Sequence, residues 1–125
     1  MRYISTRGSQ QNLSFLQILL AGLAPDGGLY LPQTYPQISQ QILDSWRGLS
    51  YAQLAFEVLS LYADDIPAAD LRAICEKTYT SKVYCHAREQ DDPSDITPVH
   101  WLGDVTAGQG QTSIGLLSLS NGPTL

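Results

Sequence analysis

One stretch decides the fold of the N-terminal region: Gly22-Leu23-Ala24-Pro25-Asp26-Gly27-Gly28-Leu29-Tyr30-Leu31-Pro32. Its centre, residues 25–28, has the composition of a tight turn, because proline fixes φ, aspartate bonds its own backbone and glycine adopts positive φ. Leu29–Leu31 then predicts a short buried strand, which Pro32 ends. With the apolar residues that precede it, the stretch predicts a helix, a turn and a strand in one compact unit.

The helix before this turn is predicted from apolar spacing. Asn12 or Ser14 is suited to cap it, and Pro25 stops it. We expect its apolar residues to form one inward face: Phe15, Leu16, Leu19, Leu20 and Leu23. Upstream, residues 2–6 alternate in a β-like way, and Gly8 begins a polar connection.

Three further helices are predicted downstream. A short helix follows Ser39 and ends at Gly48, and a stronger helix follows Ser50. A third runs from about Ala68 to Tyr79. The residues expected to face inward on the last two helices are Leu54, Ala55, Val58, Leu59, Tyr62, Leu71, Ile74, Cys75 and Thr78.

The C-terminal part of the chain predicts strands. Residues 96–102 and 113–120 are strand-like, and a glycine-rich connection is expected over residues 103–110. The resulting class is α+β, a small mixed sheet with about four packing helices. No internal repeat divides the chain.

Composition excludes several kinds of partner. The 125 residues fit one domain, and the net charge of −5 argues against nucleic acid or an anionic membrane as the main partner. No apolar run reaches the roughly 20 residues of a transmembrane helix. The N-terminus lacks the apolar region of a signal peptide, so we expect a cytoplasmic protein with reduced cysteines.

Several residue groups invite a chemical interpretation, but structural roles are the better predictions. The spacing of zinc motifs is absent from Cys75, Cys85, His86 and His100. A nucleophilic pair of Cys85 with His86 or His100 is also a weak prediction, because adjacent residues on a strand, such as Cys85 and His86, point to opposite faces. Asp64–Asp65 and Asp91–Asp92 predict solvated loops, and Gly108–Gly110 predicts a flexible turn. Ser5-Thr6-Arg7-Gly8 leaves two interpretations open: an anion held by hydroxyls and arginine, or a strand end with an exposed charge.

Three separated motifs together resemble threonine synthase: Tyr3-Ile4-Ser5-Thr6-Arg7-Gly8, the stretch over residues 22–32, and Asn121-Gly122-Pro123-Thr124-Leu125. Residues 49–55 also resemble the small N-terminal domain of that family. Each motif is weak alone, but their order and spacing make the resemblance specific across the whole chain.

The resemblance implies a pyridoxal-phosphate enzyme of the type II fold that converts O-phospho-L-homoserine and water to L-threonine and phosphate. In the family, Gly-Pro-Thr-Leu runs directly into Ala-Phe-Lys-Asp, whose lysine forms the Schiff base with the cofactor. We therefore expect residues 1–125 to be the N-terminal domain, with residues 112–125 or so leading into the pyridoxal-phosphate domain. No catalytic, cofactor-binding or metal residue is expected within this chain, and the isolated chain is expected to be inactive.

The same resemblance places four residues beside the active site: Asn121, Gly122, Pro123 and Thr124. Asn121 stands where many members of the family have histidine. Ser5, Thr6 and Arg7 belong to a family motif without an assigned role, and Arg7 could pair with a carboxylate of the large domain.

The resemblance also predicts partners. The expected partner is the remainder of a threonine synthase chain, and the alternative is a free-standing interaction or regulatory module. The apolar segment Ile114–Leu117 predicts self-association of an isolated chain through its last strand.

Overall fold

The computed structural model describes residues 1–9, 12–80, 82–83, 99–106 and 111–117. In chain order, these residues form β1 (Tyr3–Ser5), α1 (Phe15–Ala21), β2 (Tyr30–Pro32), α2 (Gln40–Trp46), α3 (Tyr51–Ser60), α4 (Ala68–Thr78), β3 (Val99–Thr106) and β4 (Gln111–Leu117). The predicted α+β class with four helices is confirmed. The strands pair as β1–β2 and β3–β4, each antiparallel. Within the described ranges, no helix has the length and apolar character needed to cross a bilayer.

Capping side chains begin the helices where the sequence predicts. Ser39 Oγ accepts from the N–H of Ile42 at 3.3 Å at the start of α2. At the start of α3, Ser50 Oγ accepts from the N–H of Gln53 at 3.3 Å, and Gln53 Oε1 accepts from the N–H of Ser50 at 2.8 Å. These bonds satisfy amides that a helix leaves without intrahelical partners.

Strand β1 is hydrogen-bonded along both of its edges. On one edge it pairs with β2, with Tyr3 opposite Pro32 and Ser5 opposite Tyr30. On the other edge, Tyr3 exchanges two backbone hydrogen bonds with Leu13, at 2.9 and 3.3 Å. The strand therefore links the chain before α1 to the segment that follows the turn.

Tyr3 anchors β1 to the helices. Its side chain is buried, its ring centroid lies 6.0 Å from that of Phe15, and its hydroxyl donates to the carbonyl of Tyr62 at 2.8 Å. Burial raises the pKa of Tyr3, and the nearby carboxylates of Asp64 and Asp65 raise it further. The hydroxyl is thus a neutral donor at the end of α3.

Helices α3 and α4 complete a small core. Phe56 is buried, and the Arg72 guanidinium lies over its ring, with Cζ 3.9 Å from the centroid of the Phe56 ring. Leu71 and Cys75 are buried on α4, and burial raises the pKa of the Cys75 thiol. The expected role of Cys75 as a small core hydrophobe is confirmed.

The predicted burial is wrong at three places. Helix α1 forms as expected, but four residues of its predicted inward face are exposed: Leu16, Leu19, Leu20 and Leu23. The strand predicted to be buried is also exposed at Leu29 and Leu31. On α4, Ile74 is half-exposed rather than inward. On α1, apolar spacing identifies a face that needs covering, but it does not place the covering element in the same part of the chain.

A second compact unit covers Tyr79–Leu125. In its described part, β3 and β4 pair from Val99–Leu117 to Thr106–Gln111, and the register shifts between Trp101 and Asp104. The prediction of a connection beginning at residue 103 is wrong, because residues 103–106 continue β3. Gly103 lies within this register shift. Glycine in a strand often marks an irregularity of this kind, and here it does not end the strand.

We expect Tyr3→Phe to lower the free energy of unfolding by about 1 kcal/mol, because it removes one hydrogen bond and leaves the Tyr62 carbonyl unpaired. The measurement is urea denaturation of the protein that contains this chain. Tyr35→Phe is the matched control, since the Tyr35 side chain is exposed. Equal losses in the two variants would contradict the anchoring role of Tyr3.

Candidate functional site

Two sequence motifs meet where β1 ends and β2 begins. The antiparallel pairing of β1 and β2 brings Thr6 beside Leu29, and the N–H of Thr6 donates to the Leu29 carbonyl at 2.8 Å. In return, Thr6 Oγ1 accepts from the N–H of Leu29 at 2.9 Å. We call the residues joined here the Ser5–Asp26 cluster; they are Ser5, Thr6, Arg7, Asp26, Gly27 and Gly28.

The carboxylate of Asp26 is the centre of the cluster. Its Oδ1 accepts from Ser5 Oγ at 2.7 Å and from the N–H of Gly28 at 2.9 Å, and its Oδ2 accepts from the N–H of Ser9 at 3.3 Å. The Ser5 hydroxyl and then the Gly28 amide lower the pKa of Asp26, and the Ser9 amide and the charge of Arg7 act in the same direction. Asp26 is therefore held as a carboxylate, matched to several donors.

The Ser5 hydroxyl both donates and accepts a hydrogen bond within the cluster. The residue is buried, its Oγ donates to Asp26, and the same oxygen accepts from the N–H of Arg7 at 3.1 Å. A nucleophilic serine needs a neighbouring base that can take its proton, and a carboxylate with a lowered pKa is a weak base. The geometry favours a structural role for this hydroxyl.

Arg7 is held against the turn by the backbone. Its Nη1 donates to the carbonyl oxygen of Asp26 at 3.1 Å, and the residue is exposed. The Ser5 hydroxyl donates to Asp26 and cannot join Arg7 around an anion. Thr6 Oγ1 accepts from the N–H of Leu29, which leaves its own O–H as a donor. The guanidinium is therefore the charged donor of the cluster that remains available to an external acceptor.

Glycine is required where the two motifs approach most closely. A Cβ atom on Gly28 would collide with Ser5 Oγ and would lie 3.0 Å from Thr6 Oγ1. Gly27 has φ 75°, in the left-handed region, and a Cβ atom there would lie 3.1 Å from Arg7 Nη1. The two glycines therefore permit the contact between the turn and residues 5–7.

Asp64 and Asp65 are not the purely solvated loop that the sequence predicts. Asp64 pairs with the N-terminal ammonium of Met1, and Asp65 Oδ2 accepts from the N–H of Leu16 at 3.0 Å. Burial would raise the pKa of Asp65, but hydrogen bonding, including that from Leu16, outweighs it and lowers the pKa. These carboxylates line a cavity of about 220 Å³ with Met1, Arg2 and Ser14. The bond between Asp65 and Leu16 joins the segment after α3 to the start of α1.

Most of the other candidate residues lie outside the part of the chain that the structure describes. They are Asn121, Gly122, Pro123, Thr124, Cys85, His86, Asp91–Asp92 and Gly108–Gly110. Among the residues that the structure describes, no three His, Cys, Asp or Glu side chains are grouped to hold a metal ion.

Sequence reasoning found the two motifs separately and missed the carboxylate that joins them. A signal was present, because Asp26 is the single charged residue between Gly8 and Leu43. It also stands in a tight-turn sequence, where an aspartate side chain hydrogen-bonds to backbone amides nearby.

Comparison with known proteins identifies the relatives of this chain. Residues 2–79 match the family described as "Threonine synthase N terminus". A threonine synthase from Methylobacillus glycogenes is 56% identical over 125 residues, which are 100% of this chain and 25% of that protein. One from Corynebacterium glutamicum is 46% identical over 129 residues, covering 99% of this chain and 24% of that protein.

A solved structure is similar as well. The X-ray crystal structure of pyridoxal-phosphate-bound threonine synthase from Brucella melitensis matches with a TM-score of 0.64 and 40% identity, over 80% of this chain and 20% of that one. The chain spans about a quarter of the length of the relatives it matches. The resemblance inferred from the three motifs is confirmed.

We expect Gly28→Ala to lower the free energy of unfolding by about 1–3 kcal/mol, the range for an overpacked site, because the new methyl group collides with Ser5 Oγ. Gly48→Ala is the control, since nothing lies within 4 Å of a Cβ atom there. The control should change stability by less than about 0.5 kcal/mol. A tolerated Gly28→Ala substitution would contradict the close contact.

The lowered pKa of Asp26 fixes the sign of a pH dependence. The hydrogen-bonded Asp26 carboxylate stabilises the folded protein fully at pH values above 3.8, the usual pKa of aspartate. This stabilisation is lost as the pH falls through the lower pKa that Asp26 has in the folded protein. Ser5→Ala removes the largest cause of the shift, so the pKa of Asp26 should rise toward 3.8. The measurement is an NMR titration of the Asp26 carboxyl carbon, with Ser45→Ala, on exposed α2, as control. An unchanged pKa in Ser5→Ala would contradict the assigned bond.

Proposed function

This chain belongs to the threonine synthase family, and on that premise we propose that it is the N-terminal domain of an enzyme converting O-phospho-L-homoserine and water to L-threonine and phosphate. The observation that carries the proposal is the 56% identity maintained over all 125 residues. The domain covers residues 1–125, and residues 112–125 or so lead into a pyridoxal-phosphate domain. The free, buried Cys75 accords with a protein of the reducing cytoplasm.

Pyridoxal phosphate is the cofactor proposed for the full-length enzyme, where it acts as an electron sink for carbanion chemistry. The two lysines of this chain, Lys77 and Lys82, do not fit the role of the lysine that binds it. Both are exposed, whereas a lysine that forms a Schiff base is activated in a desolvated pocket or beside another cation. We therefore assign no step of the reaction to residues 1–125.

The Ser5–Asp26 cluster has a positioning role in this proposal. Its hydroxyls and carboxylate bond one another and the backbone, which keeps the turn and Arg7 in one arrangement. Arg7 has N–H groups beyond its bond to Asp26, and a guanidinium binds a carboxylate with two parallel hydrogen bonds. We propose that Arg7 pairs with a carboxylate of the large domain.

Two roles outside the cluster stay predictions. Residues 121–124 are proposed to flank the active site and to shape the approach to the cofactor lysine. Self-association of an isolated chain through Ile114–Leu117 is also a prediction; in the described part of the chain these residues belong to β4, which pairs with β3 along one edge.

We expect the full-length protein, supplied with pyridoxal phosphate, to release phosphate from O-phospho-L-homoserine and to form threonine in equal amount. Residues 1–125 alone should release none, because the cofactor lysine is expected in the remainder of the protein. Phosphate assay and chromatography of threonine provide the measurement, with heat-inactivated full-length protein as control. A full-length protein that forms no threonine would favour the interaction-module alternative.

A further inference from the structure

A long stretch of the N-terminal unit carries almost no charge. The chain has seven basic and twelve acidic residues, yet Asp26 alone falls within residues 8–43. The carboxylate of Asp26 is occupied by Ser5, Ser9 and Gly28. Apart from this carboxylate, which bonds within the Ser5–Asp26 cluster, the stretch therefore presents no charged side chain to water.

Exposed leucines lie on this uncharged stretch. The exposed fractions are 61% for Leu19, 88% for Leu20, 63% for Leu23 and 62% for Leu29. Leu19 and Leu20 lie on α1, and Leu23 and Leu29 flank a turn that is closed by the bond from the Ala24 N–H to the Gly28 carbonyl, at 3.0 Å. We call these four residues the leucine surface.

The leucine surface has the character of a protein interface rather than of a water-facing or membrane-facing surface. Surfaces in water carry charged side chains, and helices that lie on membranes carry Lys or Arg beside their apolar face. Helix α1 has neither an acidic residue in its first turn nor a basic residue in its last. Depletion of charge with retention of large apolar side chains is typical of the core of a protein–protein interface.

We propose that the leucine surface docks onto the remainder of the same polypeptide, the part that follows residue 125 in the longer relatives. This inference rests on the proposed function, because it requires the longer enzyme. The relatives are about four times as long as this chain, so about three-quarters of the polypeptide is available to cover the surface. Permanent interfaces are the more apolar ones, and a covalent tether raises the effective concentration of the partner.

The Ser5–Asp26 cluster prepares the surface for docking. Asp26 bonds hold the turn between Leu23 and Leu29, so these two leucines are fixed on either side of one closed loop. A surface that is already ordered loses little conformational entropy when its partner binds. The cluster therefore acts on docking by fixing the leucines, without contacting the partner through Ser5 or Asp26.

The test measures whether the leucine surface is covered in the full-length protein. A Leu20→Cys variant is treated with a thiol reagent in native buffer and in denaturant, and the rate for the parent protein is subtracted to remove native cysteines. We expect the introduced thiol to react at least about 100-fold more slowly in the native protein. Leu23→Cys repeats the measurement at a second position, in case the first variant does not fold.

Ile74→Cys is the matched control. Ile74 is 51% exposed on α4 and has charged neighbours on that helix, so its introduced thiol should react nearly as fast in native protein as in denaturant. Fast native labelling at positions 20 and 23 would overturn the proposal. Protection that disappears on dilution would overturn it too, because the covering partner would then be a second copy.

The labelling and the activity are independent readings. A full-length protein with a protected leucine surface but no release of phosphate from O-phospho-L-homoserine would contradict the proposed reaction and support the docking. A protein with phosphate release and fast native labelling would contradict the docking and support the reaction.

Discussion

The hydrogen bond from Ser5 Oγ to Asp26 Oδ1, 2.7 Å long, is the contact on which the N-terminal unit depends. It joins the end of β1 to the turn before β2, and the same carboxylate also orders the amide of Gly28. The close approach is possible because position 28 has no side chain. One carboxylate thus determines how two short strands meet, and short strands form few ladder bonds of their own.

The rest of the unit is organised around a small core and an uncovered apolar side. Tyr3 connects β1 to the segment just after α3, and Arg72 of α4 lies over the buried ring of Phe56 of α3. The leucine surface remains outside this core. An exposed apolar side of this kind is typical of a surface that binds another part of a protein, which is the basis of the docking that we propose.

Local features of the fold could be predicted from the sequence, and long-range features could not. The caps at Ser39 and Ser50 and the turn at residues 25–28 depend on neighbouring residues, so the sequence predicts them. The exposure of Leu20 depends on which other segments pack against α1, and the pairing of Ser5 with Asp26 depends on the register of β1 and β2. Hydrophobic periodicity specifies neither the packing partner of a helix nor the partner residue across two strands. Family membership followed from motifs, whereas the positioning role of the cluster needed the geometry.

The most direct test of the account is a double-mutant cycle between Ser5→Ala and Asp26→Ala in the full-length protein, with thermal midpoint as the measurement. If the two side chains stabilise the unit through their mutual bond, the double variant should lose clearly less than the sum of the losses of the two single variants. If the losses of the two single variants instead add, Ser5 and Asp26 act independently, and the account of one organising cluster is contradicted.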